Sequence, residues 1–175
     1  MFSKPRSYRK IIEYTILVLV CFVLQSVPAF GVRFLGCAPS LLLLLTLGIS
    51  FFETPNFALW FGLGMGLLSQ MVTSSFVGLD GILFMFMAYF TAAALELFLQ
   101  RKFITYIYVA LIGIFLHQIV DYLFHLLLWG SLPLGTALMK RILPTFFFSG
   151  LCAFPLFAIL SHYDRKFRRQ EDELI

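Results

Sequence analysis

His117, Asp121 and His125 stand four apart in "HQIVDYLFH", with Gln118 beside the first. On a helix, that spacing puts the three side chains on one face, one turn from each other. Imidazole and carboxylate groups so arranged can ligate a metal, line a polar pocket or hydrogen-bond to a neighbouring helix. The flanking chain is almost wholly apolar, and a charged Asp at the centre of a membrane helix costs roughly 2.5–3.5 kcal/mol on insertion scales. Three uses fit the face: buried bonds between helices, the lining of a water-filled pocket or partner groove, or a metal site. A metal needs three or four converging ligands, and no other segment offers an obvious His, Cys or acid at the same depth. The candidate counter-charge is Arg141, at the outer end of the last apolar segment. Its guanidinium could bind Asp121 through two parallel hydrogen bonds and lower the cost of keeping it ionised. His117 and His125 would then close the network as neutral donors or acceptors.

The elements that must hold this face are membrane helices. The chain of 175 residues is 61% hydrophobic and 13% charged, where a soluble domain has about 25% charged residues. Lipid is the solvent that this composition suits, and one integral membrane domain is expected. The formal net charge of +4 is no nucleic-acid signal, because the basic residues cluster at the chain ends. Cys21, Cys37 and Cys152 are too few and too scattered for a disulfide framework or a zinc site and read as small apolar fillers.

Backbone groups in lipid must bond within their own segment, so each apolar run is read as a helix. Six runs follow: 11–27, 39–52, 55–76, 80–99, 103–129 and 142–160. The second begins at Pro39, suited to a first helical turn, and at roughly 21 Å it is thinly embedded or re-entrant. The third begins with Thr54 as cap and Pro55 at the first position. The fifth, at roughly 40 Å, is longer than the hydrocarbon. Its length leaves Asp121 anywhere from just past the midplane to the outer boundary.

Basic residues set the orientation. With the N-terminus inside, the cytoplasmic segments carry Lys4, Arg6, Arg9, Lys10, Arg101, Lys102, Arg165, Lys166, Arg168 and Arg169, against Arg33, Lys140 and Arg141 outside. Both ends are therefore expected in the cytoplasm. The first segment also has the parts of a signal peptide, with Val27 and Ala29 at cleavage spacing. Gln25, Pro28 and a second helix close behind fit an uncleaved span better.

Gly62, Gly64 and Gly66 lie in "WFGLGMGLLSQ". A dinucleotide loop would need a strand before it, and none is present. Gly62 and Gly66 share one helix edge, which continues to Gln70, and such an edge lets another helix approach closely. A substrate groove is the alternative use. Glu96, a turn before Arg101 and Lys102, reads as an interfacial acid. His162 begins a charged tail whose basic part suits anionic headgroups.

The order of these segments resembles the MreD family of bacterial rod shape-determining membrane proteins. The likeness covers most of the chain. It rests on "LQSVPAF", on "APSLLLLL" with Pro39, on the Gly-spaced helix ending "GLLSQ" with Gly78 after it, and on "RILPTFFFSGLCAFPLF" with Pro144 and Pro155. Ser40, Gln70 and Ser149 stand where the family often has Asp, Asp and Asn. The resemblance implies an all-α polytopic membrane protein of six transmembrane helices, similar to the substrate-binding components of energy-coupling-factor vitamin transporters. It implies no enzyme activity and no cofactor. The implied partner is MreC, and through it MreB, RodA and a penicillin-binding transpeptidase, in control of cell shape and lateral peptidoglycan synthesis at the bacterial cell membrane. A vitamin-binding transport subunit is the rival. Such subunits often dock by an Ala-x-x-x-Ala face on the first helix, whereas this chain has that spacing only at Ala88 and Ala92.

Overall fold

A computed structural model of the chain describes residues 8–26, 40–73, 78–97, 102–129 and 143–172. They form six helices: α1 (Tyr8–Ser26), α2 (Leu41–Phe52), α3 (Pro55–Thr73), α4 (Leu79–Leu97), α5 (Phe103–Trp129) and α6 (Leu143–Asp172). Their order and centres match the six apolar runs. The main difference is α6, which continues well past Leu160 to Asp172. Nothing from Ser161 onward is Gly or Pro, so the polar tail has no breaker and its Arg, Lys, Gln and Glu favour the helix. Among the described residues, three stretches are long and apolar enough to cross a membrane, Leu79–Leu97, Phe103–Phe124 and Thr145–His162. Ile12–Ser26 and Leu41–Phe52 are shorter apolar helices.

The centre of the bundle is α2. Every residue from Leu42 to Phe51 is buried, and α1, α3, α4, α5 and α6 all pack on it. A helix apolar all round is one that can be covered all round, which is what "LLLLLTLGISFF" provides. At about 18 Å it is shorter than a hydrocarbon core of about 30 Å. Its two hydroxyls bond inside the helix: Thr46 Oγ1 donates to the Leu42 carbonyl and Ser50 Oγ to that of Thr46, each at 2.7 Å. They therefore ask nothing of the surrounding helices. Tyr106 of α5, wholly buried, donates its hydroxyl to the Leu44 carbonyl at 3.3 Å. Around the C-terminal end of α2, Phe51, Tyr106 and Phe157 meet with ring centroids 4.9–6.1 Å apart, a spacing at which edge and tilted contacts add to burial.

Both ends of α2 are held by side chains from other helices. Leu42 N–H donates to Gln25 Oε1 of α1 at 3.1 Å, and Ser40 N–H donates to Ser149 Oγ of α6 at 3.1 Å. These satisfy donors that a helix start cannot satisfy itself. Past the other end, the buried Glu53 accepts from the Tyr14 hydroxyl of α1 at 3.0 Å.

Helices α3 and α4 form the tightest pair. A Cβ on Gly62 would sit 2.6 Å from the Phe84 carbonyl oxygen and 2.8 Å from Ala88 Cβ. One on Gly66 would collide with the Asp80 carbonyl oxygen and lie 2.6 Å from Gly81 Cα. The small edge thus faces α4, and Ala58, Ala88 and Ala92 extend the contact as a buried cluster. Gly64 points the other way, where an added Cβ meets nothing within 4 Å. Gly66→Ala and Gly62→Ala should each lower stability by about 1–3 kcal/mol through overpacking. Gly64→Ala should raise it by about 0.5–1 kcal/mol, the ordinary gain of Ala over Gly within a helix. Thermal unfolding of the three variants in mild detergent tests this, and a Gly66→Ala protein as stable as wild type would show that α3 and α4 do not meet here.

Candidate functional site

The polar face of α5 meets an acid on α4. His117 Nε2 lies 3.1 Å from Asp80 Oδ1, with the side chains 14% and 2% exposed. The ring of Phe84, one turn along α4 from Asp80, stands edge-on to the imidazole at a centroid distance of 5.5 Å. Asp80 is in the first turn of α4, where a carboxylate is favoured by the unpaired N–H groups of the helix start and by its dipole. Elsewhere α4 and α5 touch only sparsely, so this hydrogen bond and ring contact are a large part of what joins them.

The expectation that no other helix offers an acid at the depth of this face is therefore corrected by Asp80. Its place in the first turn is an ordinary place for an Asp, so in sequence it reads as a helix start. Only the antiparallel register of α4 and α5 puts it opposite His117. Asp121 is half-buried one turn further along α5. His125 lies in α5, but its side chain is outside the described residues, as are Pro39 and Arg141 altogether. The expected Asp121–Arg141 pair thus falls beyond them.

The register also fixes depth. Helix α4 is about 28 Å long, and Asp80 stands at its start. A membrane crossed by α4 has His117 near its boundary. Asp121 and His125 then lie about 6 Å and about 12 Å further out along α5.

Gln70 and Gly78, singled out on different grounds, are partners. The Gly78 N–H donates to Gln70 Oε1 at 2.9 Å, and Gly78 has φ of +94°, a conformation open to glycine and strained for other residues. The contact closes the turn between α3 and α4, and the Gly78 carbonyl then accepts from Ile82 N–H at 3.1 Å to start α4. Gly62, Gly66 and Gln70 thus serve one purpose, fixing the hairpin that carries Asp80. Pro144 is in the first turn of α6, where its missing N–H costs nothing. Pro155 lies inside the same helix, where the Leu151 carbonyl loses its helical donor.

Sequence reasoning passed over the tie points of α2. Gln25 and Ser40 were visible as polar residues at helix ends and Ser149 as one inside an apolar helix, but their partners are far along the chain, and nothing local to each names the other. The same holds for Tyr14 and Glu53. The Asp80–His117 pair can share a proton. Among the described residues, the buried His117 Nδ1 has no hydrogen-bond partner. No group of three His, Cys, Asp or Glu among the described residues could hold a metal ion.

No family model, curated protein or solved structure matches the chain.

A double-mutant cycle on Asp80→Asn and His117→Leu should return a coupling of about 1–3 kcal/mol in unfolding free energy, the range for hydrogen-bonded neighbours. Strictly additive losses would dissolve the pair. The same cycle on Asp121→Asn and Arg141→Gln tests the second expected pair.

Proposed function

We propose that the chain is a non-enzymatic membrane scaffold of the MreD type, crossing the bacterial cell membrane six times with both termini in the cytoplasm. It holds MreC and, through MreC, helps tie MreB, RodA and a penicillin-binding transpeptidase into the assembly that controls cell shape and lateral peptidoglycan synthesis. The observation that supports this is the convergence of the resemblance-bearing segments. Gln25 of "LQSVPAF", Ser40 of "APSLLLLL" and Ser149 of "FFFSG" meet at the start of α2. Gln70 of "GLLSQ" meets Gly78. Segments that carry the resemblance thus meet in space, although Ser40, Ser149 and Gln70 themselves stand where the family often has other residues. Their work is to lock helices together, which suits a protein whose product is a shape presented to other membrane proteins.

The rival is a vitamin-binding transport subunit. One observation weighs against its usual mode of docking: Ala88 and Ala92, the sole pair with the required spacing, are buried against Ala58 of the same chain. That face is occupied and leaves no room for another subunit.

Affinity purification from native membranes in mild detergent should recover MreC and no tightly bound vitamin. Depletion should round or swell the cells. A bound vitamin with no MreC, and unchanged cell width after depletion, would move the assignment to the transport subunit. Topology is tested separately by reporter fusions at Tyr8, Gly78 and Glu173. The first and third should report cytoplasm and the second the outside, and an external C-terminus would overturn the six-span arrangement.

A further inference from the structure

We propose that the end of α6 and the start of α5 together bind the headgroups of anionic phospholipids, through Lys102, Arg165, Lys166, Arg168 and Arg169. Helix α6 does not stop where its apolar stretch stops. It runs unbroken from Leu143 to Asp172, whereas the part long and apolar enough to cross a membrane is Thr145–His162. Those 18 residues cover about 27 Å, against about 30 Å of hydrocarbon. The match leaves little room to slide, so His162 marks the boundary and the helix carries on through the headgroup layer. Beyond His162 only the helix itself is described, and its register places the residues.

The charges along that continuation, "HYDRKFRRQED", are sorted by depth. Arg165 to Arg169 lie about 5–10 Å past His162, in and just beyond a headgroup layer about 5–8 Å thick. Glu171 and Asp172 come after them, about 13–15 Å out. Cations thus stand at the level of the lipid phosphates, and most of the acids stand beyond it. The four cations less the one acid among them, Asp164, leave an excess of three positive charges. A helix charged only for solubility would interleave opposite signs at i, i+4. Here Arg165 and Arg169 are at i, i+4, and Arg165 with Arg168 and Lys166 with Arg169 are at i, i+3. Like charges so spaced oppose a helix, and an anion shared among them relieves the repulsion. By helical register the four fall within an arc of about 160°, with Tyr163 and Phe167 on the opposite side.

A fifth cation comes from another helix. Lys102 is exposed immediately before α5. The ring of its neighbour Phe103 packs on Phe154 and Phe157 of α6, with centroids 5.5 and 5.0 Å away. Phe157 is about a turn and a half before His162, so Lys102 stands at the same end and the same edge of the bundle. Glu96, at the end of α4, is on another side, because α4 packs on α3 and α2 whereas α6 packs on α2 and α5. Clusters of four or more Lys and Arg beside a membrane helix attract lipids with net negative charge. The bilayer brings its phosphates to this depth by itself, whereas an acidic protein would have to enter the headgroup layer to reach it. Lipid preference depends on α6 crossing a membrane and not on the scaffold reading, so it and MreC recovery can fail independently.

The test is electron spin resonance of the full chain in phosphatidylcholine bilayers containing spin-labelled phosphatidylglycerol or spin-labelled phosphatidylcholine. Wild type should restrict phosphatidylglycerol several-fold more strongly, and high salt, which screens surface charge, should shrink the preference. The chain carrying Arg165→Gln, Lys166→Gln, Arg168→Gln and Arg169→Gln should lose most of it, and the chain carrying Glu171→Gln and Asp172→Asn should keep it. Should the fourfold variant fail to insert, Arg168→Gln with Arg169→Gln should lose about half of the preference, since half of the α6 cations remain. No preference in wild type, or an undiminished one in the variants that lack cations, overturns the proposal. Inorganic phosphate should act no more strongly than chloride at equal ionic strength. Phosphate that abolishes the preference where chloride does not would reveal a site for the free anion and overturn the lipid assignment.

Discussion

A buried helix that is too short to reach water must find partners for its ends inside the protein. That constraint on α2 organises the bundle. The hydrogen bonds of its middle turns close within the helix, and Thr46 and Ser50 close theirs there too. The ends cannot do this, so Gln25 and Ser149 are drawn from two different helices to the start. Just past the other end, Tyr14 reaches the buried Glu53. An unsatisfied buried donor costs about 1–3 kcal/mol, enough to decide which polar residue stands where on α1 and α6. The wall around α2 is therefore built as much from single polar atoms as from apolar area.

The second constraint is close approach. Gly62 and Gly66 let α3 lie on the backbone of α4, and the same contact holds Asp80 at a fixed height. Asp80 meets His117 because the hairpin is rigid, not because α4 and α5 are strongly packed. Two kinds of junction coexist in one small bundle. One is steric, and the other rests on a polar contact.

The helices were legible in sequence because lipid removes most alternatives for an apolar run. The small edge of α3 was legible because glycine spacing in an apolar helix has few other uses. The central place of α2 was half legible. Its shortness and its continuous Leu run were plain, but a short apolar helix can be re-entrant or enclosed, and enclosure depends on the neighbours. The polar face of α5 was legible as a face, and its partner was not. Asp80 sits thirty-seven residues away in a position where an Asp is unremarkable, so no local rule connects the two. The Gln70–Gly78 contact shows the opposite case, in which residues chosen for packing and for a motif turn out to touch. The end of α6 was misjudged because the apolar stretch stops near Leu160 while the helix does not.

The enclosure of α2 bears on how the chain enters a bilayer. Membrane helices are commonly pictured as stable insertions first and packed partners second, and a segment of about 20 apolar residues can follow that order. Helix α2 has 12 residues and cannot hold a transbilayer position by itself. Only Glu53 and Thr54 separate it from α3, so the two leave the insertion machinery as one hairpin. The bonds to Gln25 and Tyr14 are available as soon as α1 is in place, whereas the bond to Ser149 waits until nearly the whole chain has been made. Biogenesis of the core thus starts with the first three helices and is completed only by the last.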